Sequence, residues 1–383
     1  MKLIIPDNND PELINIVRKL SKTNYKHKIT GMYGRPTKAN FVSSGRGSTF
    51  PFLSNSQLKK KVKELRKLEI EYEYSLNTTL PEDRKKSTKN KLIKLLKWLE
   101  KSSIKNVTMT NMGMINLAER YCPNVNVTIS FFSRVEDLDT LEQFASKPNV
   151  KCIVTASSTY RDLPLLKKMV ERGKKHDCKI RIMANLGCMS HCIRKGEHAN
   201  IQCVTSNKKF KRDIEYKPCT FYCMELHLKD PKKFLKLPII RPEDLDKYEK
   251  IGIDSIKLVD RDRITSWNTR VIEAYLKGEY DGNLLELTSL FATQTSPKSN
   301  EELNSIDMGK VIKEENKVRE YRRELPELMK INLDNKSFRP LECSNNCGSC
   351  DECPASTALK YDPERRKIVL KQLAIIKRDY LTK

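Results

Sequence analysis

The sequence predicts an α/β fold, a (β/α)8 TIM-type barrel carrying a small cysteine-rich C-terminal extension. Three observations lead there. Short apolar or β-branched runs near residues 28, 70, 107, 126, 151, 180 and 254 alternate with helical patterns, the rhythm of parallel β/α units. That many units close most simply into a barrel, whose chemistry sits at the C-terminal strand ends. The length, 383 residues, suits one barrel-sized domain with an appendage better than two equal domains.

The elements follow in order. Residues 11–20 (PELINIVRKL) have helical spacing, and residues 28–34 read as a strand ending in Tyr33-Gly34-Arg35. Gly45-Arg46-Gly47 falls in the loop after it. A basic helix over 57–69 precedes a strand over 68–77. A helix over 82–104 presents Leu92, Leu95, Leu96 and Leu99 on one face. Strands at 107–110, 126–132 and 151–156, a helix at 161–175 and a strand at 179–185 continue the alternation. Residues 1–291 make the barrel, 292–332 a polar linker and charged helix, and 333–383 a four-cysteine motif with a basic amphipathic helix over 363–380.

Lys and Arg total 73 against 49 Asp and Glu, a formal charge of +24, with 38% hydrophobic and 32% charged residues. That balance favours polyanion partners, RNA or DNA ahead of membrane. A lysine-rich solvated surface explains it equally well, because aromatic residues are not interleaved with the basic runs. Met1-Lys2-Leu-Ile-Ile-Pro6 is too short for a signal-peptide core, and no apolar run approaches a membrane span. Twelve cysteines in such a chain point to a reducing cytoplasm, where clustered thiols are usually ligands.

Two clusters stand out. Cys188-x3-Cys192 follows a strand, and Cys219-x3-Cys223 follows a basic loop. Four thiolates hold a 4Fe–4S cluster or a tetrahedral zinc, and the x3 spacing leans toward iron–sulfur. Cys203 is an alternative to Cys219 or Cys223, whereas His191 and His198 suit hydrogen-bonding roles. The tail set is Cys343-x3-Cys347-x2-Cys350-x2-Cys353-Pro354, read as a second 4Fe–4S cluster or a zinc site. Cys122, Cys152 and Cys178 are isolated on or beside strands and read as core. The strand ends add a ring of polar groups: Tyr33, Arg35, Asn77, Thr110, Asn111, Ser130, Ser157, Ser158, Asn185, Asp260 and Arg261. No H-E-x-x-H, G-x-S-x-G or P-loop is present, which weighs against a metallopeptidase or a serine hydrolase.

The runs NLGCMSHC, PIIRPEDLDKYEKIGIDSIKLVDRDR and VIEAYLKGEYDGNLL resemble the U32 peptidase family. GMYGR, the GRG loop and EYEYSLN extend the likeness upstream, so that it covers about residues 28–290. The resemblance implies a barrel with a Cys-ligated 4Fe–4S cluster. Several members are oxygen-independent hydroxylation proteins acting on tRNA, rRNA or a ubiquinone precursor, with prephenate as hydroxyl donor. On this chain it implies Cys188, Cys192 and Cys219 or Cys223 as ligands. It places Arg241, Glu243, Asp260 and Arg261 near the mouth, joined by Tyr33 and Asn77 as candidate catalytic residues. The cysteine spacing departs from the common family signature, in which one ligand lies much further along. The expected function is an iron–sulfur hydroxylation or modification enzyme acting on RNA, a peptide or a small molecule. Its expected partners are a small carboxylate donor and an electron donor or partner U32 protein, with no membrane. Peptidase activity and a non-catalytic scaffold with structural Fe–S or zinc sites are the alternatives.

Overall fold

A computed structural model describes residues 1–35, 42, 52–81, 86–206, 222–261, 263–288, 331–342 and 356–381. Eight parallel strands close into a barrel: β1 (Lys2–Pro6), β2 (Lys28–Gly34), β3 (Glu71–Leu76), β4 (Asn106–Met109), β5 (Asn126–Ile129), β6 (Val150–Val154), β7 (Lys179–Met183) and β8 (Ser255–Lys257). Each pairs with the next, and β8 returns to β1 through Ser255 opposite Lys2 and Lys257 opposite Ile4. The expected fold class is therefore the observed one.

Seven strands fall where the apolar runs put them. The eighth, β1, has no alternating pattern and ends in proline, so its sequence does not announce a strand. It forms because a closed parallel barrel buries both faces of every strand. Leu3 and Ile5 face the helical layer and are fully buried, while Ile4 faces inward, 2.7 Å from where a Cβ on Gly31 would stand. A side chain at Gly31 would thus collide with the closure.

The helices are α1 (Pro11–Lys22), α2 (Asn55–Arg66), α3 (Lys86–Lys101), α4 (Met112–Tyr121), α5 (Leu138–Ala145), α6 (Leu163–Lys174), α7 (Lys195–Thr205), α8 (Met224–Lys229), α9 (Leu245–Lys250) and α10 (Thr265–Lys277). Side chains of Asp10, Ser54, Asn111, Asp137 and Asp162 accept first-turn N–H groups, so five helices start at polar caps at the barrel mouth. Each cap contributes about 1 kcal/mol. The helix expected over 57–69 stops at Arg66, because Glu69 adopts φ 59° and turns the chain into β3. α10 ends at Gly278 with φ 73°, a left-handed cap packed on His27. Leu13, Val17, Leu58, Leu92, Leu96 and Leu99 form the helical side of the core, all fully buried. Burying each stabilises the fold by about 1.5–3 kcal/mol.

Cys122, Cys152 and Cys178 are core thiols, as expected. Burial raises the pKa of each, that of Cys152 to about 11, so they stay protonated and inert. No helix among the described residues is long and apolar enough to cross a membrane.

The C-terminal residues return to the barrel. β9 (Asn332–Leu333) pairs antiparallel with β10 (Leu359–Lys360), and a last helix, α11 (Pro363–Leu381), packs against α8 with Val369 and Leu373 buried. The expected helix over 363–380 is this one. The return is fastened at Asn335. Its amide donates to Glu243 Oε1 (2.7 Å) and to the Tyr280 carbonyl (2.7 Å), and its own carbonyl accepts from Arg241 Nη1 (3.1 Å). Asn335→Ala is expected to cost about 1–3 kcal/mol by leaving buried acceptors unpaired. Urea denaturation measures the loss, and limited proteolysis should show earlier cleavage within residues 331–342.

Candidate active site

The centre of the barrel is charged. Glu73 on β3 accepts from Lys257 Nζ on β8 (2.9 Å, Oε1) and from Arg181 Nη1 on β7 (2.6 Å, Oε2). Thr108 and Thr128 hydroxyls donate to the same two oxygens at 2.6 and 3.1 Å. Arg181 Nε donates to Ser255 Oγ at 2.9 Å. Lys257 Nζ also lies 3.8 Å from the centroid of the Tyr33 ring, whose hydroxyl donates to the Leu258 carbonyl (2.9 Å). Glu73, Arg181 and Lys257 are 5%, 8% and 6% exposed, so these charges are held out of water. Burial pushes the Glu73 carboxyl up, but Lys257 and Arg181 outweigh it and hold the group well below the usual carboxylate range. Burial pulls the Lys257 ammonium down, opposed by Glu73 and helped by Arg181.

The mouth adds further cations. Arg261, after β8, is close enough for its charge to act on Lys257 and on the Tyr72 hydroxyl. Arg263 Nη2 stands 3.6 Å from Asp260 Oδ2, so the ion pair at this strand end is Asp260 with Arg263. Asp7, after β1, accepts from Lys61 Nζ (2.6 Å) and Tyr72 OH (2.8 Å). Among the described residues, three carboxylates, Glu73, Asp7 and Asp260, thus face five cations, Lys61, Arg181, Lys257, Arg261 and Arg263. One layer above Thr108, the Thr110 hydroxyl is buried without a hydrogen-bond partner. An excess of buried positive charge beside an unpartnered hydroxyl suits an anionic ligand.

The other candidate residues separate in space. Tyr33 belongs to the charged centre, and Asn77 lies after β3 at the same mouth. Arg241 forks onto Asp244 (Nε to Oδ2 2.7 Å, Nη2 to Oδ1 2.9 Å), and Glu243 accepts from Tyr280 N (2.8 Å) and from Asn335. These two fasten the 3-10 turn before α9 to the C-terminal return. Asn185, polar and at a strand end, serves the backbone. Its amide pairs with both the N–H and the carbonyl of Val259 and reaches the Leu287 carbonyl at 3.0 Å. It therefore extends the β7–β8 pairing past the strands.

Cys188 and Cys192 lie between β7 and α7, Cys203 within α7 and Cys223 just before α8. Cys203 is buried and the other three are half-buried. The Thr79 N–H, in the loop after β3, donates to Cys203 Sγ at 3.3 Å, and Thr79 Oγ1 donates to Asn200 Oδ1 at 2.6 Å. The thiol segment is thereby fixed against the barrel mouth. His227 donates from Nδ1 to the Cys223 carbonyl (2.6 Å), and burial lowers its pKa, keeping the ring neutral. His198 Nε2 bonds Gln202 at 2.9 Å, the hydrogen-bonding role expected of it.

Among the described residues, one trio of metal-capable side chains brings its donor atoms within 4.8 Å, namely His27, Asp246 and Glu249. It lies at the opposite end of the barrel and is already neutralised by Lys26 at 2.6 Å from Asp246 and the terminal ammonium at 2.8 Å from Glu249. No three of the described thiols bring their sulfur atoms within 4.8 Å of one another, as ligation of a single ion would require. A multi-iron group is larger and holds its cysteines further apart, and an all-thiol donor set is the one it needs. Cys219, Cys343, Cys347, Cys350 and Cys353 lie outside the described residues.

No known family profile matches the chain. Over 280 residues it is 28% identical to the uncharacterized protease MJ1657 of Methanocaldococcus jannaschii, covering 72% of this chain and 79% of that one. The solved U32 peptidase Mk0906 is 11% identical with a TM-score of 0.44, over 68% of this chain and 91% of that one. A GH113 beta-1,4-mannanase is 12% identical with a TM-score of 0.36, over 72% of this chain and 97% of that one.

Sequence reasoning passed over the centre of this barrel. Glu73, Arg181 and Lys257 each stand alone in a strand, far apart in the chain. The available signal was a charge inside a strand, in mid-strand within EYEYSL and KIRIM and at the end of SIK, where a barrel strand has no solvated face. Glu73→Gln is expected to destabilise the protein by about 3–5 kcal/mol at neutral pH, by stranding two buried cations. Because the folded Glu73 pKa is depressed, its contribution is full above about pH 4.3, the unfolded value, and is lost as pH falls below it. Urea midpoints at pH 7 and pH 3.5 should show the gap between wild type and variant narrowing on acidification.

Proposed function

We propose that this U32-like protein is an oxygen-independent modification enzyme whose mouth binds an anionic substrate or donor beside a cysteine-ligated 4Fe–4S cluster. The observation that carries the reading is the Thr79–Cys203 contact. It holds the thiol segment at the mouth above the Glu73, Arg181 and Lys257 charges. Cys188, Cys192 and Cys223 are the proposed ligands, with Cys203 or Cys219 completing the set. When bound, such a group supplies one-electron chemistry without oxygen. Arg261 is placed to grip a carboxylate or phosphate by a two-pronged bond, with Tyr33 and Asn77 at the same mouth and Asp260 orienting Arg263. Thr110 supplies a further hydrogen bond to the bound group. The excess of 24 positive charges suits RNA as the modified molecule in a reducing cytoplasm, with a peptide or a small molecule as the other choices. The tail cysteines are proposed to hold a second cluster or a zinc ion.

Peptide hydrolysis is the second reading, because the curated relative is named a protease. A thiol nucleophile needs a base at its sulfur, and the Nδ1–H bond of His227 to the Cys223 carbonyl leaves Nε2 as the one nitrogen of that ring able to serve. Peptidase activity of metal-free protein would favour this second reading.

Protein purified without oxygen should contain iron and acid-labile sulfide. Cys188→Ala, Cys192→Ala and Cys223→Ala should each bleach the brown absorbance and lower stability, since ligation free energy is also folding free energy. Cys347→Ser with Cys350→Ser should remove about half the iron if the tail holds a second cluster, and none if it holds zinc. Titration calorimetry with succinate tests the mouth. Arg261→Lys should weaken binding about 10- to 100-fold, the loss of one charge-assisted fork, with the melting temperature kept. An unaltered isotherm removes Arg261 from the site.

A further inference from the structure

Lys195 is half-buried at the first position of α7, three residues after Cys192. Its backbone N–H donates to the Cys192 carbonyl at 3.1 Å, and its Nζ donates to the Ser190 carbonyl at 3.0 Å. One residue thus closes the Cys188–Cys192 loop twice. The same Nζ donates to Ser157 Oγ at 2.9 Å, after β6, and stands 5.2 Å from the centroid of the Phe131 ring, after β5. The ammonium is therefore pinned between the thiol loop and two strand ends.

Its hydrogen-bond partners are neutral. Among the described residues no carboxylate comes within the 4.0 Å of an ion pair with Lys195, although Glu136 is near enough for its charge to act. A cation drawn out of water without a paired anion is costly, and it requires negative charge nearby. Glu136 supplies part of it, offset by Arg134, and the other groups positioned to supply it are Cys188 and Cys192, whose charges act on Lys195. As thiols they are neutral; as metal-bound thiolates they are anionic.

We infer that Lys195 is a positioning and potential-setting residue for the thiolate-bound group held by Cys188 and Cys192. This rests on the cluster reading above. A one-electron reduction by an added reductant places one more negative charge on the thiolate-bound iron and moves no proton. A fixed ammonium stabilises that charge and raises the reduction potential. Its hydrogen bond to Ser190 separately keeps the loop in a ligating conformation.

Spectroelectrochemical titration of the anaerobically purified full chain tests this. Lys195→Met should keep its iron content and shift the midpoint potential to more negative values. Lys195→Arg should restore the potential, and Ser157→Ala, which removes a tether but not the charge, should leave it near wild type. An iron-loaded Lys195→Met protein with an unmoved potential overturns the role given to Lys195 and leaves the cluster reading intact. If Lys195→Met loses the cluster, Lys195→Arg decides. Retention near the wild-type potential supports the charge, and loss in both variants overturns it. Wild-type protein without iron or acid-labile sulfide removes the cluster reading itself, and this inference with it.

Discussion

The structure depends on one buried carboxylate. Glu73 is the negative charge that allows Arg181 and Lys257 to share the inside of a closed barrel. A barrel interior lined by apolar side chains is easier to build, since charged groups must lose their hydration to enter it. Here the cost is offset by four convergent bonds, two from cations and two from threonine hydroxyls. The three charged residues come from β3, β7 and β8, so the network also fixes how those strands sit relative to one another. Removing Glu73 leaves two buried cations uncompensated, which makes the network a source of specificity for this closure more than of net stability.

Because one carboxylate serves two cations, the barrel centre remains positive. Arg261 and Arg263 extend that field to the mouth, where the acidic groups are already engaged: Asp7 by Lys61 and Tyr72, and Asp260 by Arg263. Field lines in a low-dielectric channel are focused, so the excess acts on what enters the mouth. The thiol segment meets this field from one side. Thr79 fastens it through Cys203 and Asn200, and Lys195 through Ser157. The arrangement puts the cationic mouth and the described thiols on one rim.

The rest of the C-terminal half supports that rim. Asn185 bonds to Val259 as a backbone strand would, holding the chain that leads to Asp260 and Arg261. Arg241, Asp244, Glu243 and Asn335 form a second polar knot, which fastens residues 331–342 beneath it. Two residues of the motif that resembled a mouth signature therefore hold the architecture around it. The polar character they share with catalytic residues arises from the same need, a buried backbone whose groups must be satisfied.

The sequence by itself determined the barrel, because seven strand runs and their helices repeat with a period that only parallel β/α closure satisfies. It also determined the core status of Cys122, Cys152 and Cys178, since neighbouring apolar residues carry that information. Only the tertiary structure decided that Lys2–Pro6 is a strand, because its four buried residues lie on both faces and show no periodicity. It decided that Asp260 pairs with Arg263, and that Arg241 and Glu243 grip Asp244 and Asn335. It also decided that Glu73, Arg181 and Lys257 meet. Glu73 and Lys257 are 184 positions apart in the chain, and no local pattern records which distant strand a mid-strand charge will face once the barrel closes.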